Sequence, residues 1–201
     1  MTTDILNISE EQLVDYSKAH NEPSWMTELR KKALKLTETL EMPKPDKTKL
    51  RKWDFDSFKQ HDVKGDVYQS LSQLPESVRE IIDVDHSKNL VIQHNNTIAY
   101  TQVDDNASKD GVIVEGLADA LMNHSDLVQK YFMKDAVTVD EHRITALHTA
   151  LVNGGVFVYV PKNVVVEHPV QYVVLHDDEN ASFYNHVIIV TEESAEVTYV
   201  E

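Results

Sequence analysis

The chain has 201 residues, no Cys, 5 Gly and a formal charge of -15 from 19 basic and 34 acidic side chains. The lack of thiols excludes disulfides, thiolate nucleophiles and any metal or iron–sulfur site held by the chain's own thiolates, and it fits a reducing compartment. The acidity argues against nucleic acid as a main partner, no apolar run approaches the ~20 residues of a membrane span, and the acidic start is no signal peptide.

In chain order, Ser9-Glu10-Glu11-Gln12 is a capping box that opens a helix carrying Leu13 and Tyr16. Pro23 marks a second helix start. There Trp25, Leu29, Ala33, Leu36 and Leu40 recur at steps of three and four, which places them on one buried face. Arg30, Lys31, Lys32 and Lys35 fall mostly off that stripe and read as a solvated face. Pro43 and Pro45 end the helix. An irregular segment follows, with Trp53, Phe55 and Phe58 expected on a core.

Asn89–His94 and Thr97–Val103 read as strands of a hairpin, since Asn95-Asn96 suits the positive φ of a tight turn. Asp104–Asp110 reads as loop and Val112–Val114 as a short strand. Two helices follow, Ser125–Met133 and one capped by Thr138 with Glu141, which runs to Val152 and carries Ile144, Leu147, His148 and Leu151 on one face. Gly154-Gly155 looks like a helix stop and turn rather than a phosphate cradle. Five β-rich runs then follow: Val156–Val160, Asn163–Val166, Val170–Leu175, His186–Thr191 and Glu196–Val200. Turn signals separate them and no helical pattern intervenes, so βαβ units are excluded and a sandwich, a barrel or a β-helix remains. Val164-Val165-Val166 and Tyr172-Val173-Val174 lack clean alternation, which suggests bends or burial on both faces.

Composition divides the chain. Met1–Lys64 holds 12 basic and 12 acidic residues, whereas the remainder holds 7 and 22, with all five Gly and seven of the eight Tyr. The expected organisation is a helical region at 1–64, a mixed α/β cap at 65–153 and a β-rich core from 154 to 201.

Chemistry-bearing patterns are sparse. There is no phosphate-binding loop, nucleophile elbow or H-E-x-x-H pair. His168, His176 and His186, near Glu167, Asp177 and Asp178, form the one candidate metal set, of the kind found in His-ligated, cupin-like β-barrel metalloenzymes. Glu141, His142 and His148 read as satisfied helix polar groups. Adjacent acid pairs point to opposite faces of a strand and make poor acid/base partners.

The run Thr145–Gln171, T-A-L-H-T-A-L-V-N-G-G-V-F-V-Y-V-P-K-N-V-V-V-E-H-P-V-Q, resembles the SufB/SufD family of the SUF iron–sulfur cluster assembly system. Leu127–Glu141, Asn185–Val190, Ser194–Val197, Glu22–Trp25, Arg30–Leu34 and Met42-Pro43 add to the likeness. The lack of Cys and the helical front favour the SufD branch over SufB. The family's E-x-W-R-x-T-like stretch appears only as Leu50-Arg51-Lys52-Trp53-Asp54-Phe55. The resemblance implies an α+β fold whose last region is the first turns of a right-handed parallel β-helix beginning near Gly154. It implies a cytoplasmic, non-catalytic scaffold that pairs with SufB-like and SufC-like proteins, SufC hydrolysing ATP and the full complex handling the iron–sulfur cluster. It also implies an amino-terminal fragment of a longer chain, so no catalytic, cofactor-binding or metal residue is carried over.

Overall fold

Ser9 Oγ accepts from the amide of Gln12, and Gln12 Oε1 accepts from the amide of Ser9, so the expected capping box closes and starts helix α1, Glu10–Ala19. The computed structural model describes residues 8–50, 53–55, 59–82 and 87–201. Pro23, extended at φ -63, is the N-cap of helix α2, Ser24–Thr39. After a 3₁₀ turn at Leu71–Gln73 come helix α3 (Glu76–Arg79), strands β1 (Asn89–His94) and β2 (Thr97–Gln102), helix α4 (Asp105–Lys109), strand β3 (Ile113–Gly116), helices α5 (Leu117–Asn123), α6 (Ser125–Tyr131) and α7 (Arg143–Leu151), and strands β4 (Gly154–Val160), β5 (Val170–Leu175), β6 (Asn185–Thr191) and β7 (Tyr199–Val200). No helix among the described residues is long and apolar enough to cross a membrane.

The chain forms two compact units, Met1–His61 with Leu121–Val152, and Asp62–Ala120 with Asn153–Glu201. The block 65–153 contributes to both.

In the first unit, α2 packs on α1 and α7. Its buried face is Met26, Arg30, Ala33 and Thr37, one residue round from the expected stripe, and Trp25, Leu29, Leu36 and Leu40 are half-buried. The stripe misplaced Arg30, which is 2% exposed. Hydrophobicity puts Arg in water, but a guanidinium each of whose nitrogens finds an acceptor can be buried. Trp25 lies at the rim, its indole donating to Ser125 Oγ at 2.9 Å and its ring tilted against Phe132. Trp53 is not pinned on a core: it is 61% exposed and stacks on Phe55 at 5.9 Å. Phe58, Arg51 and Lys52 lie outside the described residues. The cap of α7 also moves. Thr138 and Glu141 lie in turns, and His142 takes the N-cap because its Nδ1 accepts from the amide of Thr145 while Thr145 Oγ1 accepts from the amide of His142. An imidazole nitrogen thus does the work of a Ser oxygen.

The second unit holds two sheets of order β2-β1-β5-β7 and β3-β4-β6, both open, so no barrel closes among the described residues. β1 and β2 form the expected hairpin, with Asn95 at φ 50 and a bulge between Ile92 and Gln93. The polar run Asp104–Asp110 is not all loop, because Asp104 Oδ1 caps α4 through the amides of Asn106 and Ala107. The Gly-Gly pair does not stop a helix but opens β4. Gly155 has φ +131, and a Cβ there would meet His186 O at 1.9 Å.

β4 pairs in parallel with β6, from Gly154–Asn185 to Val160–Thr191, and β5 pairs in parallel with β1 and β7. Turns, not helices, join β4 to β5, β5 to β6 and β6 to β7, so the chain winds twice through the same two sheets, whereas helices α4 to α7 lie between β1 and its parallel neighbour β5. The winding repeats locally. Val164 N donates to Pro161 O, and Ala195 N donates to Glu192 O, in turns whose Asn163 and Ser194 share positive φ, 63 and 59. Lys162 Nζ reaches Glu193 Oε2, 31 residues on, and Asn153 Oδ1 accepts from Tyr184 N over the same separation. The Asn163–Val166 run makes no ladder of its own; Val165 bridges Glu196 in parallel, and β7 is shorter than the expected Glu196–Val200. Val91, Val114, Val156, Val158, Val170 and Tyr172 fill the space between the sheets. Leu90, Ile92 and Val173 face the other way, onto Leu74, Val78 and Ile82. Burial on both faces is why these strands lack clean alternation.

Candidate functional site

The three histidines of the candidate metal set do not converge. His168 sits in the turn before β5, where its carbonyl accepts from Asn89 Nδ2 at 2.8 Å. His176 is exposed and its ring meets Phe183 edge-on at 5.7 Å. His186 lies on β6 opposite Gly155. Among the described residues no three His, Cys, Asp or Glu side chains are grouped so as to hold a metal ion. On α7, His142 is used as a cap, and burial, then the charge of Arg30, hold the His148 imidazole below its ordinary 6.5.

Polar chemistry gathers instead at three places. In the first unit Arg30 donates from Nε and Nη2 to Glu22, from Nη1 to Ala150 O at 2.8 Å and from Nη2 to Val152 O at 2.7 Å, and it stands 5.0 Å over the ring of Tyr16. Ser17 Oγ adds a hydrogen bond to Glu22 at 2.7 Å. Burial alone would raise the Glu22 carboxyl, but the charge and hydrogen bonds of Arg30, with that of Ser17, outweigh it and hold the group below its ordinary 4.5. This node ties α2 to the carboxyl end of α7, whose last carbonyls lack helical partners.

Between the sheets of the second unit, Gln93 Oε1 accepts from Tyr172 Oη at 2.6 Å and from Gly155 N at 3.0 Å, and its Nε2 donates to Asn95 O at 2.7 Å. Tyr172 Oη also meets Asn185 Oδ1 at 2.9 Å. Burial, first, and the charges of Tyr199 and Glu201 raise the Tyr172 phenol far above its ordinary value, so it stays neutral and serves as a hydrogen-bonding strut.

The third place is a shallow polar depression of about 400 Å³ lined by Lys64, Gly65, Asp66, His94, Asn95 and Asp177–Glu179. His94, at the end of β1, is 6% exposed. Its Nε2 is 2.9 Å from Asp177 Oδ1, and its Nδ1 accepts from the amide of Asp66 at 2.9 Å with Tyr68 Oη at 3.4 Å. A backbone N–H can only donate, so Nδ1 carries no proton and Nε2–H donates to Asp177. That bond, before the opposing burial, holds the Asp177 carboxyl below its ordinary value. Asn95 Nδ2 supports the same oxygen at 3.1 Å. The sequence pattern shows His94 only as the end of a strand and Asn95-Asn96 only as its turn, because the partners of His94 lie on distant segments.

None of the three is a nucleophile–base pair. They brace a fold of α+β class in which strands β4 to β7 are wound twice through two sheets without helical crossovers. The chain belongs to the SufBD family: residues 10–172 match the SufBD protein N-terminal region. It is 47% identical over 98% of its length to the iron-sulfur cluster assembly protein SufD of Bacillus subtilis (strain 168), covering 45% of that protein. It is 27% identical over 99% of its length to the iron-sulfur cluster assembly SufBD family protein PH1385 of Pyrococcus horikoshii, covering 46% of it, and 28% identical over 96% to SERP0500 of Staphylococcus epidermidis, covering 43%. The chain thus spans somewhat less than half the length of these relatives.

Proposed function

We propose that the chain is the amino-terminal part of a non-catalytic scaffold subunit for iron–sulfur cluster assembly. The observation that carries this is the 47% identity, over 98% of the chain, to a protein named for that process. In this reading the subunit works in the cytoplasm in complex with a SufB-like protein and a SufC-like ATPase, and the cluster is cargo of the complex rather than a cofactor of this chain. The double winding with its 31-residue spacing supports a further element of the proposal, that β4–β7 are the first turns of a right-handed parallel β-helix which the rest of a longer subunit continues. The absence of Cys fits a brace, since cluster ligation by proteins rests mainly on thiolates. Two measurements test the proposal. A tagged subunit of the relatives' full length should co-purify SufB-like and SufC-like proteins. Anaerobic reconstitution of the present chain with iron and sulfide should leave it without a stoichiometric cluster, and a stable cluster on this chain alone would overturn the scaffold reading.

A further inference from the structure

The segment 63–68 lies as a strap over the β1–β2 hairpin. Val63 N donates to Asn96 Oδ1 at 2.8 Å, Gly65 N to Thr97 Oγ1 at 3.0 Å, and Tyr68 N to Ala99 O at 2.8 Å. The fit is close at the centre, where a Cβ on Gly65 would meet His94 O at 2.1 Å. There the strap is held by one bond of another kind, from the amide of Asp66 to His94 Nδ1. It is the one strap bond here whose acceptor is a titratable side chain.

We propose that His94 is a proton-operated latch: neutral, it holds the middle of the strap through Nδ1; protonated, it releases Asp66 while keeping Asp177. Protonation at Nδ1 sets two N–H donors against each other across 2.9 Å. The ring does not escape by turning, because Nε2–H is held by Asp177, and that contact becomes an ion pair when the imidazole is charged. The strain therefore falls on the strap, whose outer bonds to Asn96 and Ala99 confine the opening to the residues around Asp66.

Charges facing the imidazole set the balance. The strap brings Lys64, Asp66 and the neutral phenol of Tyr68, and the loop after β5 brings Asp177, Asp178 and Glu179. The neighbouring hairpin residues Gln93, Asn95 and Thr97 are uncharged. The Asp66 amide can only donate to Nδ1, and its bond is the one that a proton on Nδ1 displaces. Proton uptake thus draws on the strap bond, and Tyr68 Oη, 3.4 Å from Nδ1, is at hand to accept from the new Nδ1–H.

The test follows amide hydrogen exchange and imidazole nitrogen shifts of the full 201-residue chain by NMR between pH 7.5 and 5.5. The latch predicts an Nε2–H tautomer at pH 7.5 and a protection factor for the Asp66 amide that falls at least tenfold toward pH 5.5, while that of Tyr68 changes less than twofold. His94→Asn, whose Oδ1 takes the place of Nδ1 and does not titrate, should keep the Asp66 protection constant to within twofold. An Nδ1–H tautomer at pH 7.5, a wild-type Asp66 protection that does not change, or an equal fall in His94→Asn would each overturn the latch. The wild-type tautomer and protection profile decide the matter even if the variant fails to fold.

Discussion

Arg30 shows how far one side chain can depart from what its hydrophobicity dictates. Its charge is buried because Glu22 supplies a bidentate carboxylate and Ala150 and Val152 supply carbonyls. Such a pair adds little over a well-packed apolar replacement, yet losing one partner strands the other in the core. Arg30→Met should therefore destabilise the first unit by about 3–5 kcal/mol, read as a loss in the urea-unfolding midpoint followed by tryptophan fluorescence. Both Trp residues, Trp25 and Trp53, lie in that unit. The double change Arg30→Met with Glu22→Leu should recover most of the loss. A single variant within 1 kcal/mol of wild type would show that water already solvates the guanidinium.

At the scale of elements, local signals carried the reading and long-range ones did not. The Ser9–Gln12 box, the Asn95 hairpin turn and the strands β4, β5 and β6 were legible because each is written in a few adjacent residues. The winding was not: the turns Pro161–Val164 and Glu192–Ala195 share conformation but no residue type, so a repeat of backbone geometry left no repeat of sequence. Arg30, Gln93 and Tyr172 were missed for the same reason, since each has a partner that lies 62 to 122 residues away. Gly155 is where the winding is most exposed to test. With φ +131 and the carbonyl of His186 at 1.9 Å from any added Cβ, Gly155→Ala combines backbone strain with overpacking, each about 1–3 kcal/mol. The variant should lose about 3 kcal/mol or more, and hydrogen exchange should show protection lost together in β4 and β6. Protection lost in β4 with β6 unchanged would mean that the two strands do not stabilise each other.

At the scale of the whole molecule the charge of -15 proves to be unevenly owned. The first unit carries 14 basic and 15 acidic residues, the second 5 and 19. The second unit thus holds nearly all of the chain's self-repulsion, while the node at Arg30 and the ion pairs from Lys31 and Lys35 to Glu10 belong to the balanced one. Like-charge repulsion weakens as the screening length falls from about 30 Å at 0.01 M salt to about 8 Å at 0.15 M. Raising sodium chloride across that range should stabilise the second unit by about 1 kcal/mol, equivalent to about 4–8 °C in its Tm. The first unit should change little or weaken slightly, because screening also loosens its exposed ion pairs. Segment-resolved hydrogen exchange separates the two, with tryptophan fluorescence as an independent report on the first. Equal shifts in both would place the salt effect in general ion exclusion rather than in the charge of the wound sheets. A shift confined to the second unit would mean that this unit gains stability from any partner that brings positive charge to its surface.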